Sequence, residues 1–208
     1  MTIISKLASS LGRRDEVPNQ ELAQQILKSK NKKAVSELVV NLANKDQNIQ
    51  SDCIKVLYEI GEHQAELIAD YDKEFLALLQ SKNNRLAWGA MTALDCIASV
   101  NPGGIYKNLA KILMVADNGS VITKDHAVGI LIKLASEKKY ANNVLTLLLD
   151  QFRVCATNQL PMYAENALHV IPDAQKGSFV KVLTARLGDI EKESKRKRVE
   201  KVIAKLNS

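Results

Sequence analysis

One pattern of three residues recurs four times in this sequence at a fixed interval of 37 residues. A small side chain is followed four positions later by Leu and seven positions later by Ile or Leu, and the small residues are Cys53, Ala90, Ala127 and Ala164. Residues spaced by four and seven positions lie on one face of an α-helix. A period of about 20–50 residues is the signature of structural repeats that stack on one another. The pattern therefore predicts a helix in each copy, buried along the face that carries these residues.

A second apolar run at helical spacing precedes each copy and also follows the last one. Clusters of helix-breaking residues such as NKDQN at 44–48 and NPGG at 101–104 separate the runs, and NPGG is predicted to be a turn that ends a helix. The sequence has no credible alternating strands, and aromatic residues make up only 4% of it. Each unit is therefore predicted to be two antiparallel helices: helix A, then helix B with the repeated pattern.

Residues 32–188 resemble the HEAT and armadillo-type helical repeats, and the resemblance rests on the register of Cys53, Ala90, Ala127 and Ala164. HEAT is the better match, because two helices and not three are predicted per unit. Asp46 and Arg85 are only scattered remnants of the charged positions of the HEAT pattern, so the array is divergent. The resemblance implies an all-α, right-handed superhelix, a solenoid of four to five helix pairs in a single domain over residues 1–208. It also implies a scaffold or binding surface.

The two ends of the array are expected to be caps, because a solenoid must cover its exposed apolar ends. Residues 1–31 are predicted to form N-terminal cap helices, although Ile3, Ile4, Leu7 and Leu11 would also suit a helix on a membrane surface. Residues 189–208 are predicted to form a basic cap helix. Its basic patch could instead contact an acidic partner or nucleic acid, or act as a targeting signal. This patch consists of Lys195, Arg196, Lys197 and Arg198.

The face of the B helices opposite the repeated pattern is the predicted binding groove, since B helices line the concave side of HEAT-like solenoids. It combines large apolar or aromatic side chains with charged ones, as binding surfaces do. Packing between neighbouring B helices is the alternative explanation for these residues. The predicted groove residues are Lys55, Tyr58, Trp88, Asp95, Asp125, Ile132, Met162 and His169.

Two functions suit such a groove. The favoured one is a non-enzymatic scaffold or adaptor that binds a protein or peptide segment along the B helices. The alternative is nucleic-acid binding, because Trp88 and Asp95 are similar to the aromatic residues and the aspartate in the groove of HEAT-like alkyl-base DNA glycosylases. The predicted groove is poor in aromatics and cations, whereas base extrusion and duplex binding need both.

Other chemistry receives little support from the sequence. His63, His126 and His169 lie in different repeats without metal-ligand spacing, and Cys53 occupies a small-residue position typical of a buried thiol. We expect no metal, no cofactor and no enzymatic activity. An odd number of cysteines and the lack of a secretory signal or membrane span predict a cytoplasmic protein, expected to be a monomer. The net charge of +6 permits acidic partners without identifying one.

Overall fold

The structure is a computed structural model that describes residues 2–208. Met1, the first residue of the predicted N-terminal cap, lies outside the described residues. The described residues contain α-helices and short 3-10 segments and no strands. The α-helices are α1 (Val17–Ser29), α2 (Lys32–Val40), α3 (Gln47–His63), α4 (Asp72–Leu78), α5 (Asn84–Ile97), α6 (Pro102–Lys107), α7 (Leu109–Asp117), α8 (Val121–Ala135), α9 (Ala141–Val154), α10 (Leu160–Ala167), α11 (Asp173–Arg186) and α12 (Glu193–Asn207).

The chain packs into two compact units, Met1–Ala127 and Val128–Ser208. The first unit holds α1 to α7 and the first half of α8. The second unit holds the remainder of α8 and α9 to α12. The prediction that residues 1–208 form a single domain stays a prediction.

The repeated pattern is buried, as the spacing predicts. The three pattern residues of α3 have no exposed surface, and neither do those of α5. They are Cys53, Leu57 and Ile60 in α3, and Ala90, Leu94 and Ile97 in α5. Full burial of a Leu or Ile side chain contributes about 1.5–3 kcal/mol, so this one face supplies much of the packing energy of each helix. The fourth copy departs from the others, because α10 ends at Ala167 and Leu168 opens a 3-10 turn with a half-buried side chain.

Helix α5 comes close to α3 at Gly89, one residue before Ala90, the small residue of the repeated pattern. A β-carbon at Gly89 would lie 2.6 Å from Cγ1 of Ile54, well inside van der Waals contact. Glycine at position 89 therefore sets the spacing of these two layers.

Two repeats of the first unit carry a short helical segment in addition to their pair of longer helices. Short 3-10 segments at Ala65–Leu67 and Ala69–Tyr71 precede α4. One period later, α6 precedes α7. The NPGG segment begins α6 and does not itself end the previous helix, since α5 already ends at Ile97. Asn101 caps α6 by accepting a hydrogen bond from the Gly104 N–H, and Pro102 occupies the first turn, where its missing N–H costs nothing. These repeats thus carry a third short segment.

The N-terminal residues pack onto the first repeat. A 3-10 segment at Ile3–Lys6 leads to Leu7 and Ala8, which are buried, and α1 packs against α3. Asn19 is only 1% exposed; its amide oxygen accepts from the Ala8 N–H and its amide nitrogen donates to Asp52 of α3. One buried side chain therefore fixes the N-terminal turn, α1 and α3 together.

In the second unit, an aromatic contact and an arginine join α9 to α11. The rings of Phe152 in α9 and Phe179 in α11 meet edge to face, with centroids 5.5 Å apart. The guanidinium of Arg186 donates to three carbonyls at the end of α9, those of Phe152, Arg153 and Cys155. The last carbonyls of a helix lack partners within it, so Arg186 stabilises this terminus.

Candidate functional site

An open cleft of about 730 Å³ lies in the first unit, where several helices begin. Asn48, Arg85 and Ile122 are the second residues of α3, α5 and α8, and all three line it. The loop that leads into α1 closes one side. The remaining lining residues are Ala8, Ser9, Gly12, Arg13, Arg14, Asp15, Glu16, Asn19, Ser51, Asp52, Ile54, Lys55, Tyr58, Trp88, Gly89 and Thr92.

Each carboxylate in this cleft already has a partner within the chain. Asp15 accepts two hydrogen bonds from Arg13, at 2.9 and 2.8 Å, and this contact lowers the pKa of the Asp15 carboxyl. Glu16 lies 2.9 Å from the ammonium group of Lys55. Asp52 accepts from the Ser9 backbone N–H at 2.7 Å and from Asn19. None of the three needs a ligand to be satisfied.

Lys55 is held in place by three neighbours. Its ammonium nitrogen lies 2.9 Å from Glu16, 2.6 Å from Glu59 and 4.8 Å from the centre of the Tyr58 ring. Burial disfavours the charged ammonium, but the contacts with Glu59, Glu16 and Tyr58 outweigh it and raise the pKa of Lys55. Burial also raises the pKa of the Tyr58 hydroxyl. Lys55 is thus a neutralised structural element of the cleft wall rather than an available cation.

Two other cations are available to a ligand. Arg14, in the loop before α1, and Arg85, in the first turn of α5, are exposed residues that line the cleft. Within residues 2–208, neither guanidinium group has a hydrogen bond or an ion pair with a protein group. The open charge of the cleft is therefore positive, although its lining contains both signs.

Trp88 lies between this cleft and a second one. It lines the first, and it also lines a neighbouring depression of about 510 Å³ formed with residues of α7 and the start of α8. Met114 in the second cleft is 52% exposed and Ile122 in the first is 43% exposed, both large values for apolar side chains. The half-buried indole thus has apolar surface on two sides that a ligand can cover.

A chain of polar side chains supports the helix behind Trp88. The Asp95 carboxylate lies 2.8 Å from Nδ1 of His126, and Nε2 of His126 lies 3.0 Å from the Thr92 hydroxyl oxygen. The Thr92 hydroxyl donates to the Trp88 carbonyl at 3.0 Å. This network ties the start of α8 to α5 and fixes the backbone that carries the indole.

The order carboxylate, imidazole, hydroxyl is also that of a hydrolase triad, but the setting of Thr92 does not suit a nucleophile. Thr92 is 7% exposed, and its hydroxyl is bonded to the carbonyl one turn earlier in the same helix. The backbone N–H groups around it belong to the interior of α5, where helical hydrogen bonds use them. A developing oxyanion would find no donor there. We assign the network a positioning role.

The predicted groove residues do not all meet at one place. Lys55, Tyr58 and Trp88 line the first cleft, whereas Asp95 and Asp125 line neither of the two.

The other three predicted groove residues belong to the second unit. Ile132 is only 7% exposed, so the expectation that it lies on a solvent-facing surface is wrong. Its helix places Ile130, Leu131 and Ile132 in buried positions in succession, and a helix that is apolar on most sides has no single exposed row. Met162 is half-buried and His169 is exposed in the 3-10 turn after α10. Their role as groove residues stays a prediction.

The sequence does not predict Arg14 or His126 as parts of this site. The loop around Arg14 lies outside the repeats, so the repeat register gives it no position. Arg85 stands in the sequence only as a remnant of the HEAT pattern. The charged run RRDE at 13–16, just before a helix, is the signal that points to this loop. His126 comes one position before the small residue Ala127 of its repeat, which placed it on no predicted face.

The basic patch of α12 is largely occupied by contacts within the chain. Arg198 binds Glu165 with two hydrogen bonds and lowers the pKa of that carboxyl. Lys197 pairs with Glu193 at 2.7 Å, Lys195 donates to the side chain of Asn158, and Arg196 donates to the Ile190 carbonyl. The apolar residues Val199, Val202 and Leu206 of the same helix are buried. These contacts favour the cap interpretation of α12.

The cysteines are thiols, and burial raises the pKa of Cys53 to about 12. Over residues 2–208, no group of three His, Cys, Asp or Glu side chains gathers closely enough to hold a metal ion. In the same part of the chain, no helix has the length and apolar character needed to cross a membrane.

Comparison with known proteins identifies the fold. No protein-family profile matches the sequence, and no curated protein matches it. Solved structures do match. A designed armadillo repeat protein in complex with the peptide (KR)4 aligns with a TM-score of 0.67 and 16% identity, over 90% of this chain and 87% of that one. Computationally designed armadillo repeat proteins for modular peptide recognition align with a TM-score of 0.66 and 13% identity, over 98% of both chains.

A third match, an engineered protein, has a TM-score of 0.59 and 21% identity over 100% of this chain and 97% of that one. The chain therefore has the all-α fold of the armadillo and HEAT-like repeat solenoids. At these identities the likeness concerns the fold alone, and it confirms the divergent helical-repeat resemblance seen in the sequence.

Proposed function

We propose that this protein is a non-enzymatic interaction scaffold that binds a segment of a partner protein in the cleft around Trp88. The observation that carries the proposal is the position of the indole. It is half-buried between two clefts, on a backbone fixed by Asp95, His126 and Thr92. A rigid aromatic side chain with open apolar surface on two sides is typical of a binding hot spot.

The cleft suits a peptide better than a nucleic acid. Among the cations that line it, Arg13 and Lys55 are paired with Asp15 and Glu16, so within residues 2–208 only Arg14 and Arg85 are open to phosphates. Binding of duplex DNA relies on several phosphate contacts along the helix. Two charged anchors beside an apolar wall match a short peptide segment. The structural neighbours named above include designed proteins that bind peptides, which supports the same class of function.

The proposal also places the protein in the cytoplasm as a monomer. Three cysteines that remain thiols are compatible with a reducing compartment. Size-exclusion chromatography with light scattering should give a mass near 23.0 kDa, and a dimer mass would contradict the monomer.

Selection from a display library of random linear peptides tests the function without a known partner. The wild-type protein should enrich peptides that lose binding to the variant Trp88→Ala with Tyr58→Ala. The matched control is His63→Ala, an exposed residue at the end of α3 that lines neither cleft. Circular dichroism should show that both variants keep the helical content of the wild type.

Two results would count against the scaffold function at this site. One is a selection in which no peptide is enriched over background. The other is a set of enriched peptides that bind the Trp88→Ala, Tyr58→Ala variant as tightly as the wild type. Binding of single-stranded or duplex DNA that persists at moderate salt, without any enriched peptide, would favour the nucleic-acid alternative.

A further inference from the structure

We infer that the segment bound beside Trp88 is acidic: a short linear peptide in which Asp or Glu side chains flank a large apolar side chain. This inference rests on the proposed function and names the chemistry of the partner. Three independent features of the first cleft carry it: its open guanidinium groups, the helix ends that meet there, and its exposed apolar surface.

The first feature is that the carboxylates of the cleft have partners within the chain, whereas two of its guanidinium groups do not. The carboxylates of Asp15, Glu16 and Asp52 are bonded to Arg13, Lys55 and the Ser9 N–H. In the described residues, the guanidinium groups of Arg14 and Arg85 have no such partner. A planar guanidinium forms its strongest hydrogen bonds with a carboxylate, in a two-pronged geometry like that of Arg13 on Asp15.

The second feature is the direction of the helices that form the cleft. Asn48, Arg85 and Ile122 belong to the first turns of α3, α5 and α8, so the amino ends of three helices lie at the same cleft. The macrodipole of a helix places about half a positive charge at its amino end, within about one turn. The end of α3 is already capped by the Asp46 carboxylate, whereas that of α5 is capped by the neutral side chain of Asn83. The field of the α5 and α8 ends adds to that of the two arginines, and a basic peptide would be repelled by both.

The third feature decides against a bare anion as the ligand. Trp88 is half-buried, and Ile122 and Met114 expose about half of their surface on its two sides. An inorganic anion would leave this surface in contact with water. A side chain such as Leu or Phe between two acidic residues would cover it while the carboxylates reach Arg14 and Arg85. Covering this surface removes it from water, which favours binding.

Fluorescence of Trp88 reports this binding directly, because it is the only tryptophan of the chain. The probes are three synthetic peptides of equal length that alternate Leu with Glu, Leu with Gln, or Leu with Lys. The Glu peptide should change the Trp88 emission and bind most tightly, the Gln peptide should bind more weakly, and the Lys peptide should not bind. Rising salt should weaken the Glu peptide and leave the Gln peptide nearly unchanged.

Matched variants separate the local charges from the net charge. Arg14→Ala with Arg85→Ala should weaken the Glu peptide by about fivefold to thirtyfold, as the loss of two partly exposed ion pairs predicts. Lys73→Ala with Lys107→Ala removes two exposed positive charges that line neither cleft and should leave the affinity within about twofold.

The outcomes distinguish this inference from the proposed function. Equal binding of the Glu and Gln peptides, or tighter binding of the Lys peptide, would overturn the acidic assignment while leaving a peptide-binding scaffold in place. An equal loss in both double variants would also overturn it, because the effect would then come from net charge. Library-selected peptides without acidic residues that still depend on Trp88 would lead to the same conclusion. Single-stranded DNA that binds with the same arginine dependence, in place of the Glu peptide, would contradict both.

Discussion

Replacing Gly89 with alanine should destabilise the first unit, although the same change normally stabilises a helix. A glycine inside a helix costs about 0.5–1 kcal/mol relative to alanine. At position 89 the new β-carbon would lie 2.6 Å from Cγ1 and 3.0 Å from Cγ2 of Ile54, which is 1% exposed and has no room to move aside. Carbon atoms prefer about 3.5–4.0 Å, and overpacking a core costs about 1–3 kcal/mol. Because the overlap is severe, we expect a net loss of about 2 kcal/mol.

Urea unfolding followed by Trp88 emission measures this loss, since the indole lies in the same helix as Gly89. A double-mutant cycle assigns its cause. Ile54→Ala removes both clashing carbons and should cost about 2–5 kcal/mol by itself. The double variant should be more stable than the sum of the two single losses by about 2.5–3 kcal/mol, because the clash is gone and the preference of the helix for alanine over glycine remains.

Gly177→Ala is the matched control for this substitution. Gly177 lies within α11, and a β-carbon there would meet no heavy atom within 4 Å. This variant should be stabilised by about 0.5–1 kcal/mol. If Gly89→Ala were also stabilising, or if the cycle with Ile54 gave no coupling, the close contact of α3 and α5 at Gly89 would be refuted.

Three further predictions concern single side chains. Cys53 should resist maleimide at pH 8 until the protein is unfolded, as mass spectrometry can show, because its thiol is buried and its pKa is raised to about 12; rapid labelling of the folded protein would contradict this. Asn19→Ala should cost about 1–3 kcal/mol in urea unfolding, because Asp52 loses a buried donor; an unchanged midpoint would refute the bridging role. Arg198→Ala should cost at most about 1 kcal/mol at neutral pH, because the pair is partly exposed. Arg198 lowers the folded-state pKa of Glu165 below 4.5, so this difference is present above that pH and should vanish as the pH falls through the folded-state value; a difference that persists in acid would have another cause.

The buried faces of the repeats were predictable because helical spacing is a local property. The pattern that begins at Cys53 in α3 recurs one period later from Ala90 in α5, and both sets of residues are fully buried. The exposed face was less predictable, since it depends on what packs against each helix. In α8 the apolar residues occur on most sides, and burial of Ile132 follows from that composition rather than from its position in the repeat.

Parts of the candidate site depend on contacts between residues distant in sequence. Lys55, Tyr58 and Trp88 were predicted from the repeat register and do line the cleft. Arg14 lies in a loop without periodicity, and its place in the same cleft as Arg85 follows only from how the N-terminal turn packs on α3. The pairing of Asp95 with His126 likewise joins residues 31 positions apart. No spacing rule within one helix predicts such a contact.

The most direct test of the binding site is the NMR signal of the Trp88 indole N–H. This chain has one tryptophan, so a ¹H–¹⁵N spectrum contains a single indole resonance that needs no assignment. During titration with the Glu–Leu peptide, this resonance should shift together with the guanidinium Nε–H signals of Arg14 and Arg85. A bound peptide that leaves the indole signal unmoved and shifts residues of α12 instead would contradict the placement of the binding site in this cleft.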